Sequence, residues 1–174
     1  AGNGTAISYD NDGLVTGIHG FTIDYRADNG LPELLSDGHF SQSLLFNSYG
    51  EANSVQYQLG SQQSLGYSLE YNDIGQISRK TERQYDGAEI IYDYGYDDRS
   101  RLVEVKQDGA IVEAYDYDPN GNRLNHTSLL RDVVNQSASY VLGDQLLQSG
   151  NATYEYVDNG RISQKTVTVD TETA

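Results

Sequence analysis

A chain of 174 residues with 26 Asp and Glu against 11 Lys and Arg carries a formal charge of −15. Such a surface repels nucleic acid, anionic lipid and sulfated or uronic polysaccharides. With no Cys, Met or Trp but 15 Tyr and 18 Gly, a disulfide framework is excluded, and strands with tight turns are favoured over helices.

The opening residues, Ala1-Gly2-Asn3-Gly4-Thr5, have neither the pattern of a signal peptide nor that of a natural start, so we expect a piece excised from a longer protein. A phrase then begins that returns along the chain: an aromatic residue, a short polar turn, glycine, an aliphatic. It reads Tyr9-Asp10-Asn11-Asp12-Gly13-Leu14, then Tyr71-Asn72-Asp73-Ile74-Gly75, Tyr117-Asp118-Pro119-Asn120-Gly121 and Tyr156-Val157-Asp158-Asn159-Gly160. Weaker copies start at Tyr25, Phe46, Tyr96 and Tyr140, the third with Ser100 in the glycine place. A repeat of this period signals a stack of similar units rather than a scaffold for one active site, and we expect a single repeat domain over 1–174.

Each unit reads as a β-hairpin. Asp or Asn bonds its own backbone, and glycine takes the positive φ that closes the turn and bulges into the next strand. The turn residues singled out are Asp10, Gly13, Gly75, Asp118, Gly121 and Gly160. Between these lies a second set of turn signals, Asp37-Gly38, Asp86-Gly87, Asp108-Gly109 and Gly150-Asn151, read as two-residue turns. Strands are expected over Ile77–Tyr85, Ala88–Tyr96, Arg101–Gln107 and Ala110–Tyr117. Alternation puts Ala88, Ile90, Tyr92, Tyr94 and Tyr96 on one face and Glu89, Ile91, Asp93 and Gly95 on the other. Gln58–Gly66 and Asn125–Ser139 read as longer loops, and Ser128–Val134 is the best helix candidate, short and poorly capped. The fold class is all-β: an antiparallel meander of roughly 12 to 16 strands that must twist or curl, giving a spiral, a hollow solenoid or a barrel-like shell.

No catalytic or cofactor-binding residue emerges. There is no cysteine and no Gly-x-Ser-x-Gly elbow, and His19, His39 and His126 lie far apart with no metal spacing. Asp116-x-Asp118-x-Asn120-Gly121 begins like a calcium loop but has Thr127 at its twelfth place, and Ser8-x-Asp10-x-Asp12-Gly13 fails likewise at His19. No metal ligand is assigned, and calcium at clustered turns is the one cofactor considered. Four Asn-x-Ser/Thr sequons, among them Asn125-His126-Thr127 and Asn151-Ala152-Thr153, fit chance in a chain this rich in Asn, Ser and Thr. Tyr92, Tyr94, Tyr96, Tyr115, Tyr117, Tyr154 and Tyr156 can be read as a stacking platform for a neutral glycan or as structural rungs inside the sheet; their place before each turn favours rungs.

Tyr115-Asp116-Tyr117-Asp118-Pro119-Asn120-Gly121-Asn122-Arg123-Leu124 resembles the core of the YD repeat of the Rhs/YD-repeat proteins, and Gly143-Asp144-Gln145 through Gly160-Arg161-Ile162 resembles a second pair. The resemblance runs from about Ser8 to Lys165. It implies a β-strip that spirals into a hollow shell, as in toxin-complex and polymorphic-toxin shells and in teneurins, and a secreted or cell-surface setting. Carbohydrate binding and adhesion are also implied. Asp118-Pro119 is superficially similar to the aspartyl autoproteolytic core of the toxin shells, but it lies in an ordinary repeat turn followed by Asn122, so autoproteolysis is not carried over. Three readings remain open: a non-enzymatic shell, stalk or spacer module partnered by flanking repeats; a module binding neutral carbohydrate or a cell-surface partner; and a fragment of a toxin-encapsulating shell. No nucleic-acid partner is expected, and the lack of a 20-residue apolar run argues against membrane insertion.

Overall fold

The computed structural model describes residues 6–61 and 65–169. The opening pentapeptide lies outside them. The chain divides into two compact units, Ala1–Asp93 and Tyr94–Ala174. The first holds β1 (Ile7–Tyr9), β2 (Val15–Ile18), β3 (Phe21–Tyr25), β4 (Pro32–Ser36), β5 (Phe40–Phe46), β6 (Ala52–Leu59), β7 (Leu65–Tyr71), β8 (Ile77–Arg83) and most of β9 (Glu89–Tyr96). The second holds β10 (Leu102–Gln107), β11 (Ala110–Tyr117), β12 (Arg123–Ser128), a 3-10 turn at Leu129–Arg131, β13 (Val133–Val141), β14 (Gln145–Ser149), β15 (Ala152–Tyr156) and β16 (Ile162–Val167). Strand order follows chain order in a 16-stranded antiparallel meander.

The aromatic of every repeat sits at or next to the end of an odd-numbered strand, and at seven of the eight the register is seen to slip there. Tyr9 pairs Val15, Tyr25 pairs Pro32, Phe46 pairs Ala52, Tyr71 pairs Ile77, Tyr117 pairs Arg123 and Tyr156 pairs Ile162. The slip is the expected bulge. The residue in the glycine place has positive φ, +84° at Gly13, +79° at Gly75 and +65° at Ser100, and its amide donates back to the carbonyl that opens the turn, as Gly121 does to Asp118 at 3.1 Å. At the opposite ends of the strands, Asp108-Gly109 forms a two-residue turn with φ +49° and +84°. His19-Gly20 does the same, with φ +53° and +93°; the sequence reading took His19 only as a histidine.

Several expectations are corrected. Asp86-Gly87 is not a two-residue turn: Gln84 and Ala88 close around it at 2.8 Å, with the geometry of the motif turns. The loop expected over Gln58–Gly66 is shorter, because β6 runs to Leu59 and β7 begins at Leu65; residues 62–64 lie outside the described set. Asn125–Ser139 is not a loop but the end of β12, the 3-10 turn and most of β13. The helix candidate contracts to that 3-10 turn, closed by Asp132 at φ +54°. Alternation holds in β7, where Tyr67, Leu69 and Tyr71 are half-buried and Ser68 and Glu70 exposed. It fails in β9, where every residue after Glu89 is half-buried on both faces.

The interior is thin. The buried apolar residues among those described are Val55, Val105 and Ala152. Leu45, Leu59, Ile74 and Leu142 are left in the open. Stability therefore rests heavily on backbone ladders and on the side chains that tie turns to strands.

Candidate functional site

The motif residues make two recurring ties. In the first, the Asp or Asn after the aromatic accepts two backbone amides with one oxygen. Asn72 Oδ1 takes Ile74 N at 3.1 Å and Gln76 N at 2.9 Å. Asp10, Asn47, Asp97 and Asp118 repeat the arrangement. Asp97 is held below the usual carboxylate range by Arg101, whose guanidinium and amide both donate to it, and Asp118 by the amide groups of Asn122. Both oxygens of Asp118 are engaged, the second by Asn122 Nδ2 at 2.8 Å, so this turn works as a turn. At the last copy Val157 cannot do this, and Asn159 Oδ1 accepts Arg161 N instead at 3.2 Å.

In the second tie, the tyrosine hydroxyl donates to a carbonyl at the start of the preceding strand. Tyr25 reaches Val15 O at 2.8 Å, Tyr71 reaches Ala52 O at 2.7 Å, and Tyr117 reaches Leu102 O at 2.9 Å. Tyr140 reaches Arg123 O at 3.1 Å and Tyr156 reaches Leu146 O at 2.9 Å. In all five the acceptor lies two residues after the positive-φ residue of the preceding motif turn, Gly13, Gly50, Ser100, Gly121 or Asp144. Phenylalanine has no such hydroxyl, so Phe46 cannot make the tie.

Of the seven tyrosines named from the sequence, all are half-buried. Tyr117 and Tyr156 make the ties just described. Tyr92 stands opposite Lys80 in the ladder, and Lys165 Nζ lies 5.7 Å from the Tyr154 ring centroid. Tyr94 and Tyr96 fill the end of β9, where burial pushes the Tyr96 hydroxyl up. Tyr115 has a different role. Its ring stacks on His126 at 5.0 Å between centroids, and its hydroxyl donates to Glu113. Glu113 is itself buried and accepts from Ser128 Oγ at 2.9 Å. Register explains the cluster, because Glu113 pairs Ser128 and Tyr115 pairs His126 across β11 and β12. Burial and the Glu113 carboxylate push the Tyr115 hydroxyl up to about 12. Burial raises Glu113, but hydrogen bonds from Tyr115 and Ser128 outweigh it and leave the carboxyl below its ordinary value. Burial, then Arg123, lowers His126. The sequence reading missed this cluster. Its only signal was a Glu at 113 on the same strand face as Tyr115.

Consecutive motif turns in the second unit are bridged by side chains. Arg101 donates to the Asp118 carbonyl at 2.7 Å, pairs with Asp97 and lies 4.8 Å from the Tyr117 ring centroid. Asn120 and Asn122 both donate to Asp144 Oδ1, at 3.0 and 2.7 Å. In the first unit the 47–51 and 72–76 turns instead border a cleft of about 710 Å³, lined by Asn47, Tyr49, Glu51, Asn53, Tyr71 and Asn72 among others. Tyr49 is 88% exposed, and the Asn53 side-chain oxygen is buried with no hydrogen-bond partner among the described residues.

A family description, Teneurin YD-shell, matches residues 3–172. Among curated proteins, Teneurin-3 of Mus musculus is 24% identical over 136 residues and Teneurin-4 of Mus musculus 26% identical over 134; each alignment covers 76% of this chain and 5% of the relative. Among solved structures, a mutant Photorhabdus luminescens Tc holotoxin pore superposes with a TM-score of 0.63 at 19% identity, over 83% of this chain and 9% of that one. A TcdB2–TccC3 complex superposes at 0.50 with 20% identity, over 82% of this chain and 7% of that one. The structural likeness shows a shared fold, and the chain spans a small fraction of each of these relatives.

Proposed function

The chain belongs to the Teneurin YD-shell family, and we propose that it is a non-enzymatic wall module, supplying strands to the shell, stalk or spacer of a large secreted or cell-surface protein. Flanking repeats of that protein are its first partners. One observation carries this reading: five motif tyrosines and five motif Asp or Asn side chains are engaged with the chain's own backbone. A motif consumed by architecture has little left to present to a substrate. The thin interior agrees, since a wall segment gains its remaining burial from the repeats beside it. Electron cryo-microscopy of the longer protein tests it: β1 and β16 should each be hydrogen-bonded to a further strand, and free or non-strand neighbours at both would overturn the proposal.

A second reading, recognition of neutral carbohydrate or a cell-surface partner, is favoured by the cleft beside Tyr49 rather than by the seven tyrosines named from sequence. A neutral polysaccharide panel, run with calcium and again with EDTA, tests it. Saturable binding supports recognition, metal dependence adds calcium at the turns, and no binding in either condition removes the carbohydrate form of this reading.

A further inference from the structure

The two units treat one place in the repeat in opposite ways. Arg101 stands five residues after the motif aromatic Tyr96, and Glu51 stands five residues after Phe46. Arg101 lays its guanidinium over the next motif tyrosine, Tyr117, and donates to the Asp118 carbonyl at 2.7 Å. The matching groups beside Glu51 are Tyr71 and the Asn72 carbonyl. The backbone frames agree, for Tyr117 bonds the carbonyl of the residue after Arg101, and Tyr71 that of the residue after Glu51. The first unit thus has the tyrosine face and the carbonyl that hold a guanidinium in the second, but a carboxylate where the arginine would be.

The surrounding chemistry suits a cation from outside. The cleft is lined by Glu51, Glu70 and Asp73 and, among the described residues, by no Lys or Arg. Glu51 gives one oxygen to Asn47 Nδ2 at 2.6 Å; the other lies toward Gly75, 3.6 Å from where a Cβ would stand. In the cleft wall, the buried Asn53 side-chain oxygen has no donor among the described residues. A guanidinium offers five donors in a plane that stacks on an aromatic face and forks onto carboxylate and carbonyl oxygens. We propose that the cleft between the 47–51 and 72–76 turns binds the guanidinium of an arginine side chain on a segment of a partner protein. This goes beyond the wall reading and does not rest on it.

The test is an NMR titration of the 174-residue chain at fixed ionic strength with N-acetyl-arginine amide. Parallel arms use the lysine and citrulline analogues and a neutral oligosaccharide. The arginine probe should shift the Glu51, Asn72 and Gly75 amides saturably, the lysine probe more weakly, and the uncharged citrulline probe not at all. Glu51→Gln should weaken the arginine probe about tenfold. Glu51→Arg, which supplies the guanidinium from within, should abolish binding while the rest of the spectrum stays folded. Citrulline or lysine binding as tightly as arginine overturns the proposal. So does arginine binding that survives both substitutions, or a cleft that saturates with the oligosaccharide and not with arginine.

Discussion

Replacing Tyr117 with Phe removes one atom from the tie that recurs along the chain. The hydroxyl donates to Leu102 O at 2.9 Å, while the ring, with Arg101 above it, stays in place. A neutral hydrogen bond of this kind contributes about 1 kcal/mol net. Leu102 is half-buried as a residue, so with water able to reach its surroundings the cost is about 1 kcal/mol rather than the larger penalty of a sealed acceptor. For a chain of this size that lowers the melting temperature by about 2–4 °C. Differential scanning calorimetry of Tyr117→Phe beside Tyr49→Phe makes the comparison. Tyr49 is 88% exposed and makes no such tie, so its change should stay within about 0.5 kcal/mol. Equal small losses at both positions would refute the reasoning that motif hydroxyls hold the strip together.

Phe46→Tyr should gain the missing tie, its hydroxyl meeting the Pro32 carbonyl two residues after Gly30, and add up to about 1 kcal/mol of stability, read as a higher urea midpoint at unchanged m. Gly66→Ala should cost about 3 kcal/mol, because a Cβ there would stand 2.2 Å from the Val55 carbonyl oxygen and force β6 and β7 apart; thermal denaturation reads it. Stability should also fall at both ends of the pH scale, followed by circular dichroism. His126, Asp97, Asp118 and Glu113 are all depressed in the folded chain, so their contributions are present above the unfolded values and lost as pH falls, through the histidine range first and the carboxylate range next. Tyr115 is raised to about 12, so its contribution is whole below about pH 10 and lost as pH rises through its folded value. The single-domain reading predicts one calorimetric transition, and two separate transitions for 1–93 and 94–174 would contradict it.

The meander was legible because its punctuation is local. Tyr71 to Gly75 carries the aromatic, the amide acceptor and the positive-φ residue within five positions, and the bulge follows from them. What escaped depends on contacts across strands. Asn125 to Thr127 has no strand alternation, because the inward positions of β12 are His126 and Ser128, polar residues accommodated by Tyr115 and Glu113 on the neighbouring strand. That partnership exists only once the register of β11 and β12 is known. Gln84 to Ala88 was misread for a related reason: Asp86-Gly87 looks like a complete turn, but the closing hydrogen bond joins Ala88 to Gln84, one residue farther out on the N-terminal side. The target of each motif tyrosine's hydroxyl, a carbonyl 10 to 19 residues back, is a fact of geometry that the sequence does not carry. The contrast between Arg101 and Glu51 is visible in the sequence, but its meaning needed the cleft.

The central claim, that the repeat motif builds the wall rather than presenting a ligand surface, is met most directly by residue-resolved amide hydrogen exchange on the 174-residue chain. Amides held by motif side chains, such as Ile74, Gln76, Asn120 and Asn122, should exchange as slowly as the strand amides beside them and speed up together when the preceding Asn or Asp is replaced by Ala. Motif-turn amides that exchange freely while the strands stay protected would contradict the account.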